Sequence, residues 1–249
     1  VLLARDEQRL TGQPFIGMLH PSDAALFEQQ SRDVAERSGT ATFSVELRCT
    51  AGNGTDLWVA LHCGRFKDPD SSEDGLIYQL QDITSRQVAE AQLQRLAYHD
   101  SLTELPNRAY FHAQLAKAVE ASRIDPSMRF AVMFLDLDRF KVVNDSLGHF
   151  YGNELLREVG RRVQQCLRRN EVVARLGGDE FAVLLHNLYD THDGLGLAER
   201  ILQALSKPLP VGGTEIIPSA SVGVTFSDLG YRTVDEMLRD ADLAMYEAK

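Results

Sequence analysis

Residues 171–185, EVVARLGGDEFAVLL, constrain this chain more tightly than any other stretch. EVVAR and FAVLL each read as an apolar strand, and Gly177 and Gly178 fall between them, where a tight hairpin needs residues tolerant of positive φ. Asp179 and Glu180 then sit at the hairpin tip. A bare glycine backbone admits close approach of a ligand, and neighbouring acids can hold a divalent cation or accept a proton. An ordinary hairpin with two solvated acids accounts for the same residues, so the stretch alone specifies a turn and leaves its chemistry open.

The context comes from FAVMFLDLDRFKVVNDSLGHFYGNELL, residues 130–156. Its first nine residues form an apolar run ending in alternating acids, the pattern of a central strand that delivers Asp136 and Asp138 at its C-terminal end. Mg²⁺ takes oxygen ligands and keeps waters and substrate phosphates in its shell, so one or two protein carboxylates suffice. Asp136 and Asp179 are the pair that can supply them. A lone Asp-x-Asp on a strand is more often a solvated strand end; two acidic strand ends in one domain favour the metal reading.

Five motifs then occur in order: HDSLTELPNR at 99–108, FLDLDRFKVVNDSLGH at 134–149, RLGGDEF at 175–181, SASVGV at 219–224 and ADLAMYEAK at 241–249. On these, residues 99–249 resemble a GGDEF domain, the catalytic module of diguanylate cyclases. The resemblance implies a palm-like α/β fold related to nucleotide cyclases and polymerases, which condenses two GTP into cyclic di-GMP and two pyrophosphates. It implies Asp136 and Asp179 as side-chain ligands of Mg²⁺ or Mn²⁺, with the backbone carbonyl of Leu137 as a third ligand. Glu180 matches the residue that assists metal binding or deprotonates the attacking 3′-hydroxyl. The turn Arg139-Phe140-Lys141 would offer backbone N–H groups and one ammonium to the phosphates, and Lys249 matches a second phosphate-binding lysine. On residue type alone, both lysines read as solvated surface charges.

Asn144 matches the guanine-binding Asn. Asn153 stands where the family has Asp, and an amide offers one acceptor where a carboxylate accepts from both guanine N1–H and N2–H₂. The family's inhibitory product site is an Arg-x-x-Asp; here Arg168 is followed by Glu171, one methylene longer, in what otherwise reads as an Arg-rich helix end. The family continues beyond its YEAK lysine with Gly-Arg-Asn and a final strand, whereas Lys249 is the last residue here. QALSKPLPVGGTEIIPSASVGV and ADLAMYEAK are similar to the GGDEF half of tandem proteins that carry an EAL phosphodiesterase next. Besides cyclase, the resemblance therefore allows a GTP-binding regulatory domain for such a phosphodiesterase, and the chain also admits a signalling adaptor with no turnover. The intact acids favour the enzyme over the adaptor, while Asn153 and the early end favour the regulator.

A formal charge of −10 over 249 residues argues against a nucleic-acid surface, which needs a basic stripe. Cys49, Cys63 and Cys166 are isolated, odd in number and without metal spacing, so they read as reduced, packed thiols of a cytoplasmic protein. No run reaches the roughly 18 apolar residues of a membrane span.

Residues 1–84 resemble a PAS sensor domain, through His20-Pro-Ser-Asp23, the Trp58 strand and Asp82-Ile83-Thr84, with Val1 entering that pattern late. His20 invites a haem or metal, but His-Pro-Ser-Asp is also a helix start capped by Ser22 or Asp23. Trp58 reads as a packed strand aromatic, and no PAS cofactor is assignable. Residues 85–98 form a linker helix with Ala89, Leu93 and Leu96 at 4,3 spacing, a seam for a homodimeric coiled coil or for packing back on its own domain. Within 99–249 the patterning predicts helices over 107–122, 151–168, 190–206 and 233–249, and strands over 130–137, 172–185 and 216–226, with SKPLPVGGTE as a loop. Together these predict an α/β sandwich with helices covering a mainly antiparallel sheet.

Overall fold

The computed structural model describes residues 12–36, 41–67, 74–211 and 214–249, and the chain divides into two units, Val1–Leu93 and Gln94–Lys249. The first eleven residues, on which the late entry into the sensor pattern rests, lie outside the described residues, as do Gly212 and Gly213 of the expected loop.

In the first unit, helix α1 (Pro21–Glu36) packs on a three-stranded antiparallel sheet of β1 (Thr42–Thr50), β2 (Asp56–Lys67) and β3 (Asp74–Asp82), in that order. Strand alternation sends Leu47, Cys49, Val59, Leu61 and Cys63 to one face, where they meet Phe27 and Val34 of α1. Cys49 and Cys63 are free and buried, and burial pushes the Cys49 thiol up to about 11.

His20 occupies the helix start, but the capping differs from expectation. Pro21 is the first helical residue, and Ser22 donates its backbone N–H to His20 Nδ1 at 3.3 Å, so His20 itself caps α1. Asp23 turns instead to Arg48. Arg48 donates from its backbone N, Nε and a terminal nitrogen to that carboxylate at 2.9, 3.0 and 2.8 Å, and its guanidinium lies 5.6 Å from the centroid of the Trp58 ring. The Arg48 hydrogen bonds hold the Asp23 carboxyl at about 2, below its ordinary 3.8. A depressed folded-state pKa means stability present in full above the unfolded value and lost as pH falls towards about 2. Asp23→Asn is therefore expected to cost roughly 1 to 2 kcal/mol at pH 7, reduced by solvent at the half-exposed Arg48 end. Denaturant titrations at pH 7 and near pH 2.5 should show the gap between parent and variant shrinking, and a constant gap would contradict the ion pair.

Helix α2 (Thr84–Tyr98) starts where the backbone N–H of Thr84 bonds Asp82 Oδ1 at 2.8 Å and that of Trp58 bonds Thr84 Oγ1 at 2.9 Å. It buries none of its residues; Leu93 and Leu96 are 65% and 70% exposed.

The second unit contains α3 (Arg108–Ile124), β4 (Phe130–Leu137), α4 (Phe140–Leu147), α5 (His149–Cys166), β5 (Val172–Gly177), β6 (Glu180–His186), α6 (Thr191–Leu205), β7 (Leu209–Val211), β8 (Thr214–Ile216), β9 (Ala220–Phe226) and α7 (Val234–Ala248). The main sheet has the order β5-β6-β4-β9, every pairing antiparallel, so the apolar run at 130–137 is indeed central. Alternation divides its residues between two cores. Ala131, Met133, Leu135 and Leu137 meet Leu155, Val159 and Val163 of α5 and Leu197 and Ile201 of α6. Phe130, Val132 and Phe134 face Phe111 and Leu115 of α3 and Met237, Ala241 and Met245 of α7. The result is the expected α/β sandwich.

Three local expectations are corrected. Phe140 and Lys141 belong to a short helix, not a free turn, because Arg139 takes a left-handed conformation (φ 55°) that lets the chain re-enter helix directly after β4. The loop expected at 206–215 contains β7 and an antiparallel partner, β8. The last sheet strand starts at Ala220 instead of 216, since Thr214–Ile216 is used in that small hairpin.

Candidate active site

The hairpin forms as its glycines require. Gly177 and Gly178 have φ of 146° and 52°, and nothing lies near either Cα where a Cβ would stand. Register then places the acids. Asp136 pairs directly with Glu180 on β6 and with Ser221 on β9, and directly opposed residues of antiparallel strands share a face. Asp179 lies at the tip, and its backbone carbonyl accepts from the Leu137 N–H at 3.4 Å, joining the hairpin to the end of β4.

Asp136 is 9% exposed. Lys249, at the end of α7, donates Nζ to Asp136 Oδ1 at 2.7 Å, and that bond raises the lysine pKa. The lysine reaches because α7 lies directly on β9: a Cβ at Gly223 would strike the backbone of α7 at Ala241 O and Met245 N. Ser221 Oγ donates to Asp138 Oδ1 at 2.8 Å, so the second acid of the strand-end pair is occupied by the neighbouring strand.

Burial, followed by the charge of Asp136, pushes the Asp179 carboxyl above the ordinary range. Burial is also the leading cause of the upward shift at Glu180, opposed by Arg108 and reinforced by Asp242, Asp136 and Asp179. Among the described residues no group of three or more His, Cys, Asp or Glu gathers as a metal cage. The donor set is smaller, two carboxylates beside the Leu137 backbone. Carboxylates held together at a cost in charge repulsion fit a hard cation that completes its shell with waters and phosphates.

Beyond β4, the Phe140 and Lys141 amides open α4 with no side-chain cap at Arg139, which leaves first-turn donors for an anion. Asn144 and Asn153 lie on successive helices. Gly152 makes this approach possible, since a Cβ there would collide with Asn144 Oδ1; Asn153 itself is exposed at the start of the second turn of α5. Arg168 and Glu171 are not brought to this end. They flank the start of β5, at the far end of the strand from the hairpin, and Glu171 Oε2 accepts from the Arg168 backbone N–H at 2.7 Å, closing the turn after α5.

Sequence reasoning missed what HDSLTELPNR does locally. Asp100 takes two bonds from Arg175 NH1, at 3.0 and 3.1 Å, and accepts from the N–H and hydroxyl of Thr103. Arg175 also donates to the Gly178 carbonyl from Nε and NH2, at 3.0 and 2.7 Å, so one arginine ties the motif to the hairpin tip. Asn107 caps α3 by accepting from the Tyr110 N–H, and Arg108 contacts Leu176 and Glu180. The spacing of the motif carried no sign of partners some 70 residues away.

Residues 97–249 match the family model described as diguanylate cyclase, GGDEF domain. The chain belongs to this family. The diguanylate cyclase TpbB of Pseudomonas aeruginosa is 39% identical over 178 residues, 71% of this chain and 41% of TpbB. The solved GGDEF domain of that protein matches at 41% identity and TM-score 0.59, over 61% of this chain and 88% of the domain. The cyclic di-GMP phosphodiesterase NbdA of the same species is 40% identical over 239 residues, 96% of this chain and 29% of NbdA. The coiled coil and GGDEF domain of DgcB from Caulobacter crescentus, solved in complex with c-di-GMP, matches at 25% identity and TM-score 0.61, over 67% of this chain and 87% of that one. The chain spans less than half the length of these two curated relatives. Among the described residues no helix is long and apolar enough to cross a membrane.

Proposed function

We propose that this GGDEF chain is a diguanylate cyclase, condensing two GTP into cyclic di-GMP and two pyrophosphates under control of a PAS-like first unit. The observation that carries the reading is the meeting of Asp136, Asp179, Glu180 and Lys249 at one end of the sheet. Asp136 and Asp179, with the Leu137 carbonyl, would hold Mg²⁺ or Mn²⁺, which when bound neutralises phosphate charge and lowers the cost of forming the attacking alkoxide. Glu180, with its raised proton affinity, is suited to accept the proton of the 3′-hydroxyl. The α4 amides at Phe140 and Lys141, the Lys141 ammonium and Lys249 bind phosphates, and Asn144 and Asn153 face guanine. Incubation with GTP and Mg²⁺ followed by mass analysis should give cyclic di-GMP and pyrophosphate.

The likeness to NbdA across nearly the whole chain supports a second reading, a GTP-binding domain that regulates an EAL phosphodiesterase. GTP retained without product in the same incubation would favour it. On either reading Asn153→Asp restores a double acceptor for guanine, so calorimetry is expected to show GTP binding several-fold tighter, about 1 kcal/mol. Weaker binding would contradict the guanine assignment.

One site holds one GTP, and cyclisation needs two facing each other, so turnover requires a two-fold homodimer. The first unit and the exposed Leu93 and Leu96 of α2 are the surfaces for it. Leu93→Glu with Leu96→Glu is expected to lower turnover per subunit in dilute protein, with recovery at high concentration and GTP binding retained. Full specific activity across dilution would remove the linker from the mechanism.

A further inference from the structure

Arg108, the last residue of the HDSLTELPNR motif, touches both strands of the catalytic hairpin. Its Nε donates to the Leu176 carbonyl of β5 at 3.2 Å, and its NH2 group lies 3.4 Å from Glu180 Oε2 on β6. The backbone beneath it is fixed to the same hairpin. Asn107 caps the helix that Arg108 begins, and Arg175 of β5 donates its backbone N–H to the Pro106 carbonyl at 2.9 Å. A planar guanidinium anchored through Nε presents its remaining N–H groups in one direction, which a lysine ammonium does not. The contact takes one oxygen of Glu180 and leaves Oε1 without a partner among the described residues.

We propose that Arg108 is a positioning residue for Glu180: it holds Oε2, sets the carboxylate plane and leaves Oε1 as the working oxygen. What Glu180 then does rests on the cyclase reading, whereas the contact does not. The competing account is a solvated ion pair of little consequence, since the two side chains are 63% and 37% exposed.

Steady-state kinetics and a double-mutant cycle separate the two. Arg108→Met is expected to lower kcat roughly 10- to 100-fold, the scale of a misplaced catalytic group, while KM for GTP stays within about two-fold. Arg108→Lys, which keeps the charge and loses the fork, should recover only a small part. In a Glu180→Gln background, Arg108→Met should have almost no further effect. Equal losses in both backgrounds, or full activity in Arg108→Lys, would overturn the positioning role. The Arg108 Nε–Hε resonance, assigned by its loss in Arg108→Lys, gives a readout free of turnover. It should shift in Glu180→Gln, and an unmoved resonance would refute the contact. A shifted resonance in a parent protein that makes no product would sink the cyclase reading and leave the contact standing.

Discussion

Asp179→Asn is expected to lower cyclic di-GMP formation by at least ~100-fold while leaving the protein as stable as the parent or more so. The activity loss follows from removing a hard anionic ligand at the site where phosphates must be neutralised. The stability gain follows from the sign of the shift. Burial and Asp136 raise the Asp179 carboxyl in the folded state, so its charge weighs against folding once pH exceeds that raised value. Asparagine removes this penalty at pH 7, and its advantage fades as pH falls through the raised value to below the ordinary 3.8. Thermal melts at pH 7 and pH 3 should show the larger advantage at the higher pH. Asp136→Asn should abolish turnover equally but cost on the order of 1 kcal/mol, because it breaks the 2.7 Å pair with the half-exposed Lys249. Unchanged activity in both variants would refute the metal assignment.

Gly223→Ala is expected to be the most destabilising single-methyl change in the second unit. A Cβ at this position would meet Ala241 O and Met245 N, which are backbone atoms of α7 and cannot turn aside as a side-chain tip can. Helix and strand must separate, which costs on the order of 3 kcal/mol. For a domain of this size that is roughly 6 to 12 °C of melting temperature. The displacement also carries Lys249 away from Asp136, so activity should fall with stability. Gly196→Ala in α6 is the control: nothing lies within 4 Å of its added Cβ, and alanine in a helix interior is worth about 0.5 to 1 kcal/mol over glycine. A Gly223→Ala protein melting within 2 °C of the parent would mean that α7 does not rest on β9 as described.

The local errors each have a physical cause. Arg139 carries no sign that it will adopt positive φ, a conformation uncommon for a residue with a Cβ, so α4 could not be separated from the turn preceding it. Thr214–Ile216 and Ala220–Phe226 lie in one β-favouring stretch and merge when read by pattern, although the first pairs with Leu209–Val211 and the second with β4. At His20 the pattern of a helix start was right, yet the capping group was not, because Arg48, 25 residues away from Asp23, competes for its carboxylate.

What the sequence determined by itself are the features whose physics is local. The apolar run at 130–137 demanded a buried strand, Gly177 and Gly178 demanded a positive-φ hairpin, and the order of five motifs pointed to the family. Asp136, Asp179 and Glu180 were legible as candidates for the same reason, standing at a strand end and a hairpin tip, whereas Lys249 became a candidate only through its match to the family's motif. Only the tertiary structure decided how those ends meet. The register of β4 against β6 and β9 sets Asp136 opposite Glu180 and Ser221, Gly223 lets α7 close enough for Lys249 to reach, Arg108 bonds the hairpin from 68 residues away, and Arg175 on the hairpin bonds Asp100, 75 residues away. Such contacts depend on strand order and helix placement, which arise from packing the whole sheet and leave no periodic trace in the chain.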